Sequence, residues 1–234
     1  MTPDPIPARS LSVIECRSCG AGAPVDEHFC SQCSRILALG RHGDYFAFMG
    51  VPRRLNLDLQ DLERRFRDLS RKFHPDYYYN ASTAERLASL ERSSYLNDAY
   101  RALRNPVARA EHLLAIEGLP SPKSEEGTAK VPPALLEEVF ALNEELDEIR
   151  ELRESGTELE TLRRRLEAAR GPIEAKRDAH ERQLQELFTR WDSVSDGGPA
   201  DEKRAALDAI RERLLERNYI NNLLSTIGKA LDTP

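Results

Sequence analysis

Leu59, Leu62, Phe66, Leu69 and Phe73 recur at alternating steps of three and four, a spacing that only an α-helix turns into one apolar face. Asp58 stands ahead of the stripe as an N-cap, and Pro75 forbids its continuation. A second helical period resumes near Ser82, with Leu96, Ala99, Tyr100 and Leu103 on one side, so the chain is predicted to make an antiparallel helix pair closed by residues 74–81. Asn105 and Pro106 end the second helix. Pro106 opens a shorter one carrying Leu113 and Leu114, which Gly118 and Pro120 stop. Beyond Pro120, Pro122 and Gly127, three more helical stretches are expected over 132–154, 158–193 and 199–231, the second kinked at Pro172. Their joints, Ser155-Gly156 and Asp196-Gly197-Gly198-Pro199, are short enough to imply an antiparallel three-helix bundle. With 6% aromatic residues and few alternating stretches, a β-sandwich or barrel is excluded, and the expected class is all-α.

Charge narrows the function classes. The chain carries a net −6, and its acidic excess sits entirely after residue 117, while residues 44–117 are about neutral. Bulk electrostatics therefore disfavours nucleic acid. No run approaches the roughly 18 apolar residues of a bilayer span. Residues 1–15 have neither the basic start and apolar core of a secretory signal nor an Arg-rich stripe, so a cytoplasmic protein is expected.

All four cysteines fall in two identical pairs, Cys16-x-x-Cys19 and Cys30-x-x-Cys33, within a segment that shows no helical period. Two such knuckles deliver four thiolates to one tetrahedral ion, and a structural zinc supplies about 10–16 kcal/mol to a segment too small for a core of its own. Disulfides are the competing reading, disfavoured in a reducing compartment. The same thiolates suit zinc or a rubredoxin-like iron. His28 reads as a polar knuckle residue beside a shell already closed by four sulfurs. The expected organisation is a metal-binding module over 1–43, a helical domain over 44–119, a linker over 120–131 and a three-helix domain over 132–234, each helical domain with its own core.

His74-Pro75-Asp76 falls at the sharp end of the helical pair, where the turn forces its polar side chains outward. A step of 100° per residue puts Arg64, Arg67 and Arg71 opposite the apolar stripe of the preceding helix, so a basic face runs toward the turn. An enzymatic His/Asp dyad is disfavoured, because no nucleophile, second carboxylate or Gly-rich phosphate loop accompanies it. A short helix at 44–49, a basic helix, His-Pro-Asp and a long antiparallel helix together resemble a J-domain. That resemblance implies a DnaK-type heat-shock ATPase as partner, with His74, Pro75 and Asp76 as essential contacts and Arg64, Arg67 and Arg71 as electrostatic guides.

The likeness extends further. Leu96-Asn97-Asp98-Ala99-Tyr100-x-x-Leu103-x-x-Pro106, then Arg109-Ala110-x-x-Leu113-Leu114, then Asn143-Glu144-Glu145-Leu146-Asp147-Glu148-Ile149 is similar to the HscB co-chaperones of iron–sulfur cluster biogenesis, which join a J-domain to a three-helix bundle. On the helix from Pro132, Leu135, Val139, Leu142, Leu146 and Ile149 form the inward stripe, and Phe140 leads Glu144 and Glu148 along the outer side. Tyr219 falls about opposite Ile210 and Leu214 on the last helix, as a second exposed aromatic. The resemblance implies that Leu136, Phe140, Glu144, Glu148 and Tyr219 contact the iron–sulfur scaffold protein, and that the chain is a co-chaperone rather than an enzyme. Two other readings remain at this point: a J-protein for an unrelated client, and a metal-dependent nucleic-acid-binding protein using its cysteine module.

Overall fold

The computed structural model describes residues 13–40, 42–120, 135–156 and 159–232. The linker expected over 120–131 lies outside these beyond Pro120, as does the helix start expected at Pro132. The described chain forms a two-stranded antiparallel hairpin, β1 (Val13–Glu15) and β2 (Gly22–Pro24), followed by α1 (Tyr45–Met49), α2 (Leu59–Phe73), α3 (Thr83–Arg104), α4 (Pro106–Ile116), α5 (Leu136–Glu154), α6 (Leu159–Val194) and α7 (Ala200–Asp232). The all-α reading holds, with three-residue strands in the cysteine segment too short to leave a periodic signal. Among the described residues no helix is long and apolar enough to cross a membrane.

Helix ends fall where their capping chemistry puts them. The Asp58 carboxylate accepts the backbone N–H groups of Gln60 and Asp61 to start α2. Ser82 and Glu85 make a reciprocal capping box at the start of α3. Gly50 closes α1 at φ 64°, a left-handed conformation that glycine adopts without a Cβ clash.

The chain packs as two compact units, Met1–Arg53 with Leu57–Arg109, and Arg54–Asn56 with Ala110–Pro234. In the first, Phe46, Phe48, Leu62, Phe73, Leu96, Ala99 and Leu103 are buried, and Phe66 stacks on Tyr100 at 4.2 Å between ring centroids. Leu59, expected on the inward stripe, is exposed instead, because it opens α2 one turn ahead of the buried Leu62. In the second unit Leu142, Leu146 and Ile149 of α5 pack with Leu162, Leu166 and Ile173 of α6 and Ile220 and Ile227 of α7. Pro172 lies inside α6 without dividing it. Trp191 is buried, as a bundle residue should be.

A polar contact is sealed between α6 and α7. His180 Nε2 lies 2.6 Å from Glu216 Oε2, an oxygen that also accepts from Arg213 at 2.6 Å. Burial and the Arg213 cation lower the His180 pKa against the opposing pull of Glu216, with Lys176 adding to the fall. His180 Nδ1 is buried without a hydrogen-bond partner, which suits a ring donating from Nε2 alone. The folded chain therefore takes up this proton less readily than the unfolded one, and the His180 contribution is full above the ordinary value of 6.5 and lost as pH falls below it. Calorimetry should show the α6–α7 transition moving to lower temperature between pH 7.5 and 5.5, and His180→Gln should flatten that dependence.

Candidate functional site

The two cysteine knuckles are built alike. Gly20 N–H donates to the Cys16 carbonyl and Ser34 N–H to the Cys30 carbonyl, each at 2.8 Å. The residue after the second cysteine of each pair takes a positive φ, 74° at Gly20 and 57° at Ser34, and so turns the chain back over its own thiols. All four sulfurs consequently lie within 4.8 Å of one another, with Cys16–Cys33 and Cys19–Cys30 both at 3.7 Å. A disulfide needs about 2.05 Å. Four sulfurs at about 2.3 Å from a tetrahedral ion stand about 3.8 Å apart, a spacing that the Cys16–Cys33 and Cys19–Cys30 pairs match while all the sulfurs stay within 4.8 Å.

The electrostatics agree with the geometry. Backbone N–H groups of Ser18 and Cys19 bring the Cys16 thiol down to about 7. The Arg35 backbone N–H pulls Cys33 the same way, but burial and the sulfurs of Cys19, Cys16 and Cys30 outweigh it and push that thiol up to about 12. Four thiols this close oppose one another's ionisation, a cost that a bound cation offsets. The residues fit a tetrathiolate metal ion, zinc and iron alike. Metal analysis of protein purified under reducing conditions should return one ion per chain, and Cys16→Ser should lower this well below stoichiometric; substoichiometric metal in the parent would refute the site.

The module does not stand apart from the helices as its own body. The His28 ring lies 4.9 Å from Phe48 and 5.0 Å from Phe73, and its Nδ1 accepts from Arg92 at 2.7 Å. Burial and the Arg92 charge bring His28 down to about 4, so the ring is neutral and serves as the acceptor. Arg92 is the functional-looking residue that the sequence reading passed over. Its signal was there: residue 92 falls on the stripe of Ala88, Leu96, Ala99 and Leu103, a charge in an apolar row.

At the far end of α2 the chain turns as expected. His74 caps a 3₁₀ turn over Pro75–Tyr78, its Nδ1 accepting the Asp76 N–H at 3.3 Å, and Tyr77 N–H returns to the His74 carbonyl at 3.0 Å. The Tyr78 hydroxyl donates to the Lys72 carbonyl at 3.0 Å and ties the turn to the helix end. The Asp76 side chain is 86% exposed, with its Oδ2 3.5 Å from His74 Nδ1. Arg64, Arg67 and Arg71 are exposed, as the helical phase required, but each pairs with an acid of its own helix: Asp61, Glu63 and Asp68 respectively. Such exposed pairs are worth about 0–1 kcal/mol, so a partner's carboxylates exchange with them at little cost.

On α5 the row of Leu136, Phe140, Glu144 and Glu148 repeats every four residues on one outer face, and Phe140 is 68% exposed. Glu148 is held by Arg165 of α6 at 2.6 Å, and the same guanidinium takes Glu145 at 2.6 and 3.0 Å. Tyr219 corrects the sequence reading. It is half-buried, packing against the bundle core while part of the ring stays accessible, because α7 is covered over a wider arc than its Ile210–Leu214 edge suggests.

Residues 131–228 match the family model of the HSCB C-terminal oligomerisation domain. The fold is HscB-like. The crystal structure of human co-chaperone protein HscB superposes with a TM-score of 0.64 at 24% identity, covering 94% of this chain and 100% of the human one. The chaperone HscB from Vibrio cholerae superposes with a TM-score of 0.53 at 25% identity, over 81% of this chain and 98% of that one. The chain therefore joins a match to the HSCB C-terminal domain with a clustered tetracysteine module and a helical hairpin that presents His74, Pro75 and Asp76.

Proposed function

We propose that this protein is a non-enzymatic J-domain co-chaperone of iron–sulfur cluster biogenesis, which binds the cluster scaffold protein and delivers it to a DnaK-type ATPase. The observation that carries this reading is the outward His74-Pro75-Asp76 turn between α2 and α3 on a chain that also bears an HSCB C-terminal domain. Work divides among a tetracysteine module over 1–43 that holds a structural zinc, a J-domain over 44–119 and a client-binding domain over 132–234. The turn and the exposed arginines of α2 meet the ATPase, with Arg64, Arg67 and Arg71 orienting the approach through charge. On α5 and α7, Leu136, Phe140, Glu144, Glu148 and Tyr219 receive the scaffold protein. Phe140 is its apolar anchor, and the carboxylates set its register.

A pull-down from cell extract tests this as a whole. The dominant captured proteins should be a DnaK-type ATPase and an iron–sulfur scaffold. Capture of the ATPase with some other client would assign the J-domain correctly and the client wrongly. Capture of nucleic acid through the cysteine module would overturn both.

A further inference from the structure

Arg92 is 1% exposed in the middle of α3, and its guanidinium reaches into the cysteine module. Its Nε donates to the Leu37 carbonyl at 2.7 Å, Nη2 to the carbonyls of Glu27 and Ala38 at 3.0 Å, and Nη1 to His28 Nδ1 at 2.7 Å. Glu27 and His28 precede Cys30, and Leu37 and Ala38 follow Cys33, so one fork grips both strands of the second knuckle. The guanidinium carbon also lies 5.7 Å from the centroid of Phe73. Phe73 is the last residue of α2, directly before His74, and its carbonyl accepts the hydroxyls of Ser89 and Ser93 at 2.6 and 2.9 Å.

A second tie leaves the same knuckle. Arg35, two residues after Cys33, pairs with Glu85 at 2.9 Å, and Glu85 accepts the hydroxyl of Ser82 at 2.8 Å to close the start of α3. The turn over 74–81 is thus bound to the cysteine module at its entry through Phe73 and at its exit through Ser82.

We propose that Arg92 is a positioning residue that transmits the metal state of the four-cysteine module to the His74-Pro75-Asp76 turn, so that the turn is held in working shape only while the thiolates are closed on an ion. The cluster of Cys16, Ala23, Cys30 and Leu37 is too small to hold its carbonyls in place without the ion. When these carbonyls move, Arg92 is left as a buried charge without acceptors and must leave its site, which uncovers Phe73. The ATPase arm of the test rests on the function proposed above; the exchange arm needs no partner.

The full-length protein is compared with its ion bound, after chelation under reducing conditions, and after zinc is returned, by hydrogen exchange and by stimulation of a purified DnaK-type ATPase. Stripping should speed exchange of the amides over 73–79 about tenfold or more, leave α5, α6 and α7 unchanged, and reduce stimulation; zinc should restore both. Arg92→Met, still carrying its zinc, should show the same fast exchange at 73–79 with the ion in place, whereas Arg35→Gln should loosen only the start of α3. Unchanged exchange at 73–79 in the stripped protein would overturn the proposal, as would Arg92→Met with zinc bound and full protection there. Melting of α2 and α3 as a whole on stripping would also overturn it, by making the module a general support. Absence of ATPase stimulation by the zinc-loaded parent would count against the function proposed above and leave the exchange result to decide this one.

Discussion

Asp76→Asn should abolish stimulation of a DnaK-type ATPase while leaving the circular dichroism of the chain unchanged. The Asp76 carboxylate is almost fully exposed, and the turn is held by the His74 and Tyr78 contacts and by backbone hydrogen bonds, none of which needs its charge. Removing the charge therefore deletes a contact available to a partner without a folding cost beyond about 0.5 kcal/mol, the ordinary range for surface substitutions. Arg67→Glu should weaken stimulation less completely, and its deficit should shrink as salt rises, since charges in solvent are screened over about 8 Å at physiological ionic strength. An Asp76→Asn protein that stimulates as well as its parent would show that this turn is not the trigger.

Phe140→Ala should lose about 2 kcal/mol or more of affinity for the scaffold protein, some thirtyfold in Kd, with its melting temperature within a few degrees of the parent. Phe140 is 68% exposed, so truncation removes little buried area from the free protein. ATPase stimulation should survive, because the substitution lies in the second unit and the turn in the first. Tyr219→Ala is expected to behave differently. Tyr219 packs against the bundle core, so its removal should cost a share of the roughly 3–5 kcal/mol typical of buried aromatics as well as any client contact. Preserved scaffold binding in Phe140→Ala would remove the anchor from this face.

Helix boundaries were the most legible feature, because caps and breakers are local chemistry. Asp58, Pro75, Ser82, Pro106 and Gly118 stand at or beside the element ends, and the two CxxC pairs converge as their spacing requires. The His74-Pro75-Asp76 turn was legible for the same reason. Leu59 and Tyr219 were misread because a helical wheel gives direction but not the width of the arc that neighbours cover. The join between the cysteine module and α3 was missed on other grounds. It depends on Arg92 meeting the carbonyls of residues 27, 37 and 38, contacts across more than fifty positions that no local period encodes. Arg92 and Glu85 were nonetheless visible as charges on an inward face, and buried charges in an apolar row are where distant partners should be sought.

The three residues Arg54, Leu55 and Asn56 are borrowed from early in the chain by the second unit. Asp192 near the end of α6 accepts the backbone N–H groups of Leu55 and Asn56 at 2.6 and 2.8 Å, Asp196 takes Arg54, and Leu55 is fully buried. Inheritance of the two halves is thereby constrained. A gene rearrangement that cut the chain once, between Arg109 and Ala110, and replaced everything before the cut would leave Asp192 without its two amides and a Leu55-sized hollow behind, unless the newcomer brought its own apolar residue at the same place in the loop before its second helix. Recombination among such proteins should therefore keep that tripeptide with the bundle it serves, and hybrids that separate them should express as bundles less stable than either parent's.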